Sequence, residues 1–213
     1  MSRRLKPLTS DLMEALPAGC RGCVFWESPE RLGHVCGAKC DVGLARGWAD
    51  RVRSEWGDFG RAAVEDGEVL GFIKYAPSAF FPQAQVMPAG PPDAKAVLIT
   101  CMHISTDARR RGLGKVLMQV ALRDLVMRGE KTVQAYGTVH QGAFETSPVV
   151  GVEFLLRMGF TVARPHPELP LMQLDVRSLV SWTENLEAVL ESLRIPIGVA
   201  RRTPVTNCEE GSS

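Results

Sequence analysis

Ala96-Val97-Leu98-Ile99-Thr100-Cys101-Met102-His103-Ile104 runs straight into Ser105-Thr106-Asp107-Ala108-Arg109-Arg110-Arg111-Gly112-Leu113-Gly114-Lys115-Val116-Leu117, and the reading of this stretch decides the fold. Its first part is almost continuously apolar, the pattern of a central strand covered on both faces. Its second part is a cationic turn that opens a helix reaching about Arg128. Leu113, Val116, Leu117 and Val120 share one face of that helix, and Gly129 stops it. Buried strand, positive turn and glycine-led helix in succession make the centre of a mixed α/β domain.

The flanks agree. Leu44, Trp48, Val52 and Trp56 recur every fourth residue, which predicts a helix from Asp41 to Trp56 that Gly57 ends. Arg61–Glu65 and Val69–Tyr75 are β-prone runs on either side of Asp66-Gly67, a dipeptide suited to a type I′ hairpin turn. Residues 77–95 are proline-rich and aperiodic, so they read as a long loop covering one side of the domain. Downstream lie a strand at Thr132–Tyr136, a short helix at Val149–Met158 closed by Gly159, strands at Phe160–Ala163 and Leu171–Leu174, and a last helix at Thr183–Leu193. The predicted order is α, β-hairpin, β, α, β, α, β, β: a central β-sheet flanked by helices. Residues 1–10 read as a loose leader.

Composition narrows the partners. Among 213 residues, 25 basic and 24 acidic side chains nearly cancel, which argues against a dedicated nucleic-acid binder. No apolar run approaches the ~18–20 residues that span a bilayer. The charged start Met1-Ser2-Arg3-Arg4-Leu5-Lys6 is followed by polar residues, without the apolar stretch of an export signal. The expectation is a cytoplasmic protein, monomer or homodimer, with neither nucleic acid nor membrane as partner.

The turn itself carries chemistry. The first turn of a helix presents unpaired N–H groups and the positive end of the macrodipole. Glycines at 112 and 114 let an anion come close, and the arginines complement phosphate charge. A Walker A loop would need glycine at 109 and Ser/Thr at 116, where Arg109 and Val116 stand; a dinucleotide fingerprint would need Gly or Ala where Leu117 stands. What remains is Arg109-x-x-Gly112-x-Gly114 after a strand, followed downstream by Phe154-Leu155-Leu156-Arg157-Met158-Gly159-Phe160. Together these resemble the GNAT superfamily of acyl-CoA-dependent N-acyltransferases.

The resemblance covers residues 41–175 and implies an N-acetyltransferase that moves an acetyl group from acetyl-CoA directly to a primary amine. It implies that Arg109, Arg110, Arg111, Gly112, Leu113, Gly114 and Lys115 hold the pyrophosphate. Met102, His103 and Ile104 would pair with the pantetheine arm in a splay between their strand and Thr132–Tyr136. Residues 1–40 are then a leader with a cysteine-rich segment, 176–199 a C-terminal helix and 200–213 a disordered tail. The chemistry departs from the family pattern at Leu155, where a tyrosine often protonates the leaving thiolate. The chain has only two tyrosines, and Ala96–Ile104 holds no carboxylate base. The candidates are Tyr136 as acid to the sulfur, His103 as proton relay, and Glu145, with His140, at the acceptor entrance; Glu27 and Cys101 are weaker ones. An acyl-CoA-sensing module that kept the cradle and lost acid and base is the alternative, and a zinc-dependent interaction module a third.

The last reading rests on Cys20-x2-Cys23-x12-Cys36-x3-Cys40. Four thiolates at such spacing can close a structural zinc site. A packed or redox-active Cys20/Cys23 pair with two ordinary cysteines is the other reading.

Overall fold

The computed structural model describes residues 3–17, 19–28, 40–109, 111–140 and 148–177. The expected helix at Thr183–Leu193, the tail, Cys36, Arg110 and Glu145 lie outside these residues. In chain order the elements are β1 (Arg4–Pro7), α1 (Ser10–Glu14), α2 (Val42–Glu55), β2 (Gly60–Glu65), β3 (Glu68–Pro77), β4 (Val97–Ile104), α3 (Leu113–Met127), β5 (Thr132–Thr138), β6 (Val150–Gly151), α4 (Val152–Arg157), β7 (Thr161–Arg164) and β8 (Leu171–Asp175).

The strands form one 8-stranded sheet in the order β1-β2-β3-β4-β5-β8-β7, with β6 paired to β5. Pairing is antiparallel except for β4 with β5 and β5 with β6. The β2–β3 hairpin turns at Asp66 and Gly67, both with positive φ (49° and 91°), as a type I′ turn requires. On one face α3 buries Leu113, Leu117, Ala121 and Leu125 against Ile73, Val97, Ile99 and Val133. Each fully buried Leu or Val stabilises by about 1.5–3 kcal/mol, so this interface contributes substantially to the domain's stability. On the other face Trp48, Ala49 and Val52 of α2 pack with Trp26, Phe59, Phe81 and Leu98.

The structure revises one expectation and adds detail to another. Residues 4–7 are not a loose leader: they pair with β2 from Arg4↔Val64 to Pro7↔Arg61. Leu5 is buried on the α3 face and Leu8 on the α2 face, an alternation too short to register in sequence. Residues 77–95 fold into two 3₁₀ turns, Ser78–Phe80 and Pro82–Val86. They are pinned by hydrogen bonds from Trp48 Nε1 to the Phe80 carbonyl, Ser78 Oγ to the Asp93 carbonyl and Arg164 to the carbonyls of Ala89 and Pro91. The loop is a packed cover.

Candidate active site

The sheet opens at its centre. β4 and β5 pair only at Val97↔Val133, Leu98↔Gln134 and Ile99↔Ala135, although β4 runs on to Ile104 and β5 to Thr138. At this level β4 carries a bulge against β3. Met102 faces Ile73 while Ile99 faces Tyr75, so the step from 99 to 102 on β4 matches the step from 73 to 75 on β3. A bulge bends and twists its strand. β5 meanwhile pairs with β8 at Tyr136↔Leu171 and with β6 at Gly137↔Val150. The edge of residues 100–104 that faces β5 therefore has no strand partner among the described residues, and such an edge accepts an extended ligand by backbone pairing. Met102 and Ile104 are half-buried along it and His103 is buried.

At the end of β4 the chain makes a 3₁₀ turn, Thr106–Ala108, and enters α3 through Gly112. Gly112 has φ 76°, a left-handed conformation that glycine adopts without a Cβ penalty. A Cβ built there meets nothing within 4 Å, so open space lies in front of the first turn of α3. Arg111, Gly112 and Lys115 are exposed around it, while Leu113 is buried and anchors the helix. Arg109 Nε donates to the Ile104 carbonyl at 3.1 Å, which holds its guanidinium at the end of β4. Ser105 Oγ, at the head of the turn, is buried with no hydrogen-bond partner among the described residues. Free amides, cations, open space and an orphaned hydroxyl fit the pyrophosphate end of a CoA thioester.

The opposite face departs from expectation. Tyr136 is buried, and its hydroxyl lies 2.9 Å from the Ala84 carbonyl and 2.6 Å from the Gly90 carbonyl. Its ring stacks on Trp26 at 5.9 Å and 19°, and Trp26 Nε1 donates to the Pro148 carbonyl. Burial pushes the phenol well above the ordinary tyrosine range. Its hydroxyl is thus held by two carbonyls of the covering loop, partners that the sequence reading of Tyr136 as acid to the sulfur does not include. His103 stands opposite Phe72 with their rings 6.2 Å apart, a wall position on β4. Leu155, where the resemblance places a tyrosine, is fully buried in the core. His140 is exposed, 3.9 Å from Glu168.

A charged pair missed in sequence lies on the same face as Trp26. Lys74 Nζ reaches Glu27 Oε1 at 2.5 Å, with side-chain exposures of 6% and 1%. Burial pulls the Lys74 ammonium down, but Glu27 more than offsets that and leaves it above the ordinary lysine range. Glu27 Oε2 accepts no hydrogen bond among the described residues. Cys101, on β4 beside this pair, is pushed up to about 12, chiefly by burial and only partly countered by Lys74. It is a neutral thiol rather than a nucleophile. The signal for Lys74 was in the sequence: a lysine inside Val69-Leu70-Gly71-Phe72-Ile73-Lys74-Tyr75 requires a buried partner.

Cys20 is buried, Cys23 half-buried and Cys40 exposed. Among the described residues no three His, Cys, Asp or Glu side chains converge to hold a metal ion, so the zinc expectation finds no support there. Among them, too, no helix is long and apolar enough to cross a membrane.

A model of the acetyltransferase (GNAT) family matches residues 23–144, more than half of the chain. No curated protein sequence matches significantly. Among solved structures, the PaiA N-acetyltransferase of Thermoplasma acidophilum in complex with coenzyme A is 15% identical; the match covers 82% of this chain and 99% of that one, with a TM-score of 0.51. An N-acetyltransferase of Staphylococcus aureus Mu50 is 13% identical over 83% of this chain and 99% of that one, with a TM-score of 0.57. YncA of Salmonella typhimurium with its cofactor acetyl-CoA is 13% identical over 83% and 95%, with a TM-score of 0.55. These likenesses bear on the fold. The family match, on a sheet split beside a glycine-led helix, shows that the chain belongs to the acetyltransferase (GNAT) family of acyltransferase enzymes.

Proposed function

We propose that this protein transfers an acetyl group from acetyl-CoA to a primary amine by direct attack, as a cytoplasmic monomer or homodimer. The observation that carries the reading is the parting of β4 from β5 after Ile99 and Ala135, next to the open first turn of α3. The backbone amides of Arg110 to Gly114, with Arg109, Arg111 and Lys115, would hold the pyrophosphate. The backbone of Met102, His103 and Ile104 would pair with the pantetheine. Bound there, acetyl-CoA supplies a thioester whose carbonyl accepts the amine. No tyrosine acid is assigned, because Leu155 lacks a hydroxyl and the Tyr136 hydroxyl serves the covering loop. A thiol of pKa about 8.5 leaves without one.

The experiment is a thermal-shift titration joined to an assay for free CoA across an amine panel. A ligand that binds only the folded state stabilises by about 2.7 kcal/mol at a hundredfold excess over Kd, which raises Tm by about 5–11 °C for a chain of this size. Gly112→Asp keeps a residue that tolerates the left-handed conformation and sets a carboxylate in the phosphate position. It should abolish the shift while the unliganded Tm stays within a few degrees; a shift of unchanged size would sink the cradle. Binding without release of free CoA for any amine would return the chain to the sensing alternative.

A further inference from the structure

On the face of the sheet that α2 covers, two buried oxygens stand without a donor. Glu27 gives Oε1 to Lys74, while its Oε2 has no hydrogen-bond partner among the described residues, although the side chain is only 1% exposed. Gln83, in the covering loop, is 3% exposed, and its Oε1 has none either. The two residues adjoin: the Gln83 N–H donates to the Trp26 carbonyl at 3.3 Å, which sets Gln83 against the Trp26–Glu27 peptide. The large majority of buried polar side-chain atoms are hydrogen-bonded, because a bare one keeps the full cost of leaving water. Both bare atoms are acceptors, so what they lack is an N–H or O–H donor.

Their position is the opening of the sheet. Lys74 lies on β3 between Ile73 and Tyr75, the partners of Met102 and Ile99, so it stands opposite the bulge of β4 where β5 parts from it. Trp26 stacks on Tyr136 of β5, one residue past Ala135, the last to pair with β4. Trp26 and Glu27 therefore reach from β3 to β5 across the gap, beside the stretch 100–104 assigned to the pantetheine arm. Resting on the acetyl-transfer reading, we propose that Glu27 Oε2 and Gln83 Oε1 bind the acceptor's ammonium and so select the acceptors that the site takes. A primary ammonium carries three N–H donors, enough to fill both oxygens, and its charge complements the carboxylate. A hydroxyl has a single donor and a quaternary ammonium none, so neither satisfies both. Hydrogen bonds to an ionised acceptor are about twice as strong as neutral ones, which gives Glu27 the larger share and Gln83 the smaller. Both oxygens are shut from solvent, so the covering loop, which carries Gln83, has to part as the amine enters.

The test uses the full chain with methylammonium chloride as probe and tetramethylammonium chloride, at equal ionic strength, as the cation without N–H donors. Thermal shift without acetyl-CoA reads the binding. Methylammonium should raise Tm saturably, and tetramethylammonium should not. Gln83→Met should raise the apparent Kd roughly tenfold, with the probe-free Tm unchanged or higher because a bare acceptor is gone. Glu27→Gln with Lys74→Met, which removes both charges together, should abolish the shift; Gln83→Met decides the matter even if that double variant fails to fold. Equal shifts for both salts, no shift at all, or an apparent Kd that Gln83→Met leaves unchanged would overturn the proposal. So would a fall of more than about 4 °C in the probe-free Tm of Gln83→Met, the mark of an existing partner such as a buried water. A CoA-induced shift that is missing while methylammonium still binds counts against the acetyl-transfer reading alone, and the converse counts against the ammonium site alone.

Discussion

Replacing Glu27 by Gln leaves the Lys74 ammonium buried without its counter-charge. The pair is 2.5 Å apart, and the lysine side chain is 6% exposed. Removing one partner of such a pair costs about 3–5 kcal/mol, whereas replacing both by neutral groups of similar size is close to neutral. At about 2–4 °C per kcal/mol, Glu27→Gln should lower Tm by about 6–20 °C. Glu27→Gln with Lys74→Met should recover most of that. pH gives a second reading. In the wild type the folded-state value of Lys74 is raised, so its contribution is complete below the unfolded value of about 10.4 and is lost only above that. In Glu27→Gln the hold of Glu27 is gone and burial, the largest cause, lowers the folded-state value, so the variant gains stability as pH rises toward 10. The Tm gap between the two should therefore narrow from pH 7 to 10, followed by circular dichroism melts. A loss below about 2 °C, or a gap that stays constant or widens with pH, would refute the argument.

Other outcomes follow from single contacts. Tyr136→Phe removes the proton held by the Ala84 and Gly90 carbonyls; it should cost about 1–3 kcal/mol of stability while the pH profile of kcat keeps its shape, and a lost alkaline limb would restore the hydroxyl as acid. Asp124 accepts from Arg61 Nε at 2.5 Å and Tyr75 hydroxyl at 2.7 Å. Asp124→Ala should destabilise by about 2 kcal/mol, with Tyr75→Phe in that background adding less than in the wild type, as a double-mutant cycle in urea would measure. Cys101, buried and pushed up to about 12, should resist iodoacetamide at pH 8 in the folded protein and react at once in denaturant; rapid labelling of the native chain would contradict its placement.

Local regularities carried most of the fold into view. The fourfold spacing of Leu44, Trp48, Val52 and Trp56, the Asp66-Gly67 turn, the apolar run ending at Ile104 and the stops at Gly129 and Gly159 each act within a few residues. Arg109-x-x-Gly112-x-Gly114 was equally local, because a helix start, its free amides and its left-handed glycine are properties of consecutive residues. What escaped depends on partners far along the chain. β1 exists because Leu5 meets the core that α3 completes. The Ala84 and Gly90 carbonyls reach the Tyr136 hydroxyl only because the covering loop folds over it. Lys74 and Glu27 neutralise each other across 47 residues. Above all, the parting of β4 from β5 comes from a bulge against one neighbour and the pull of β8 and β6 on the other. Sequence by itself determined most of the helices and strands of the central domain and the left-handed glycine start of α3, since backbone geometry and hydrophobic period are set by near neighbours. Only the tertiary structure decided where the sheet opens and which polar groups remain available, because each buried donor or charge takes the partner that packing brings to it.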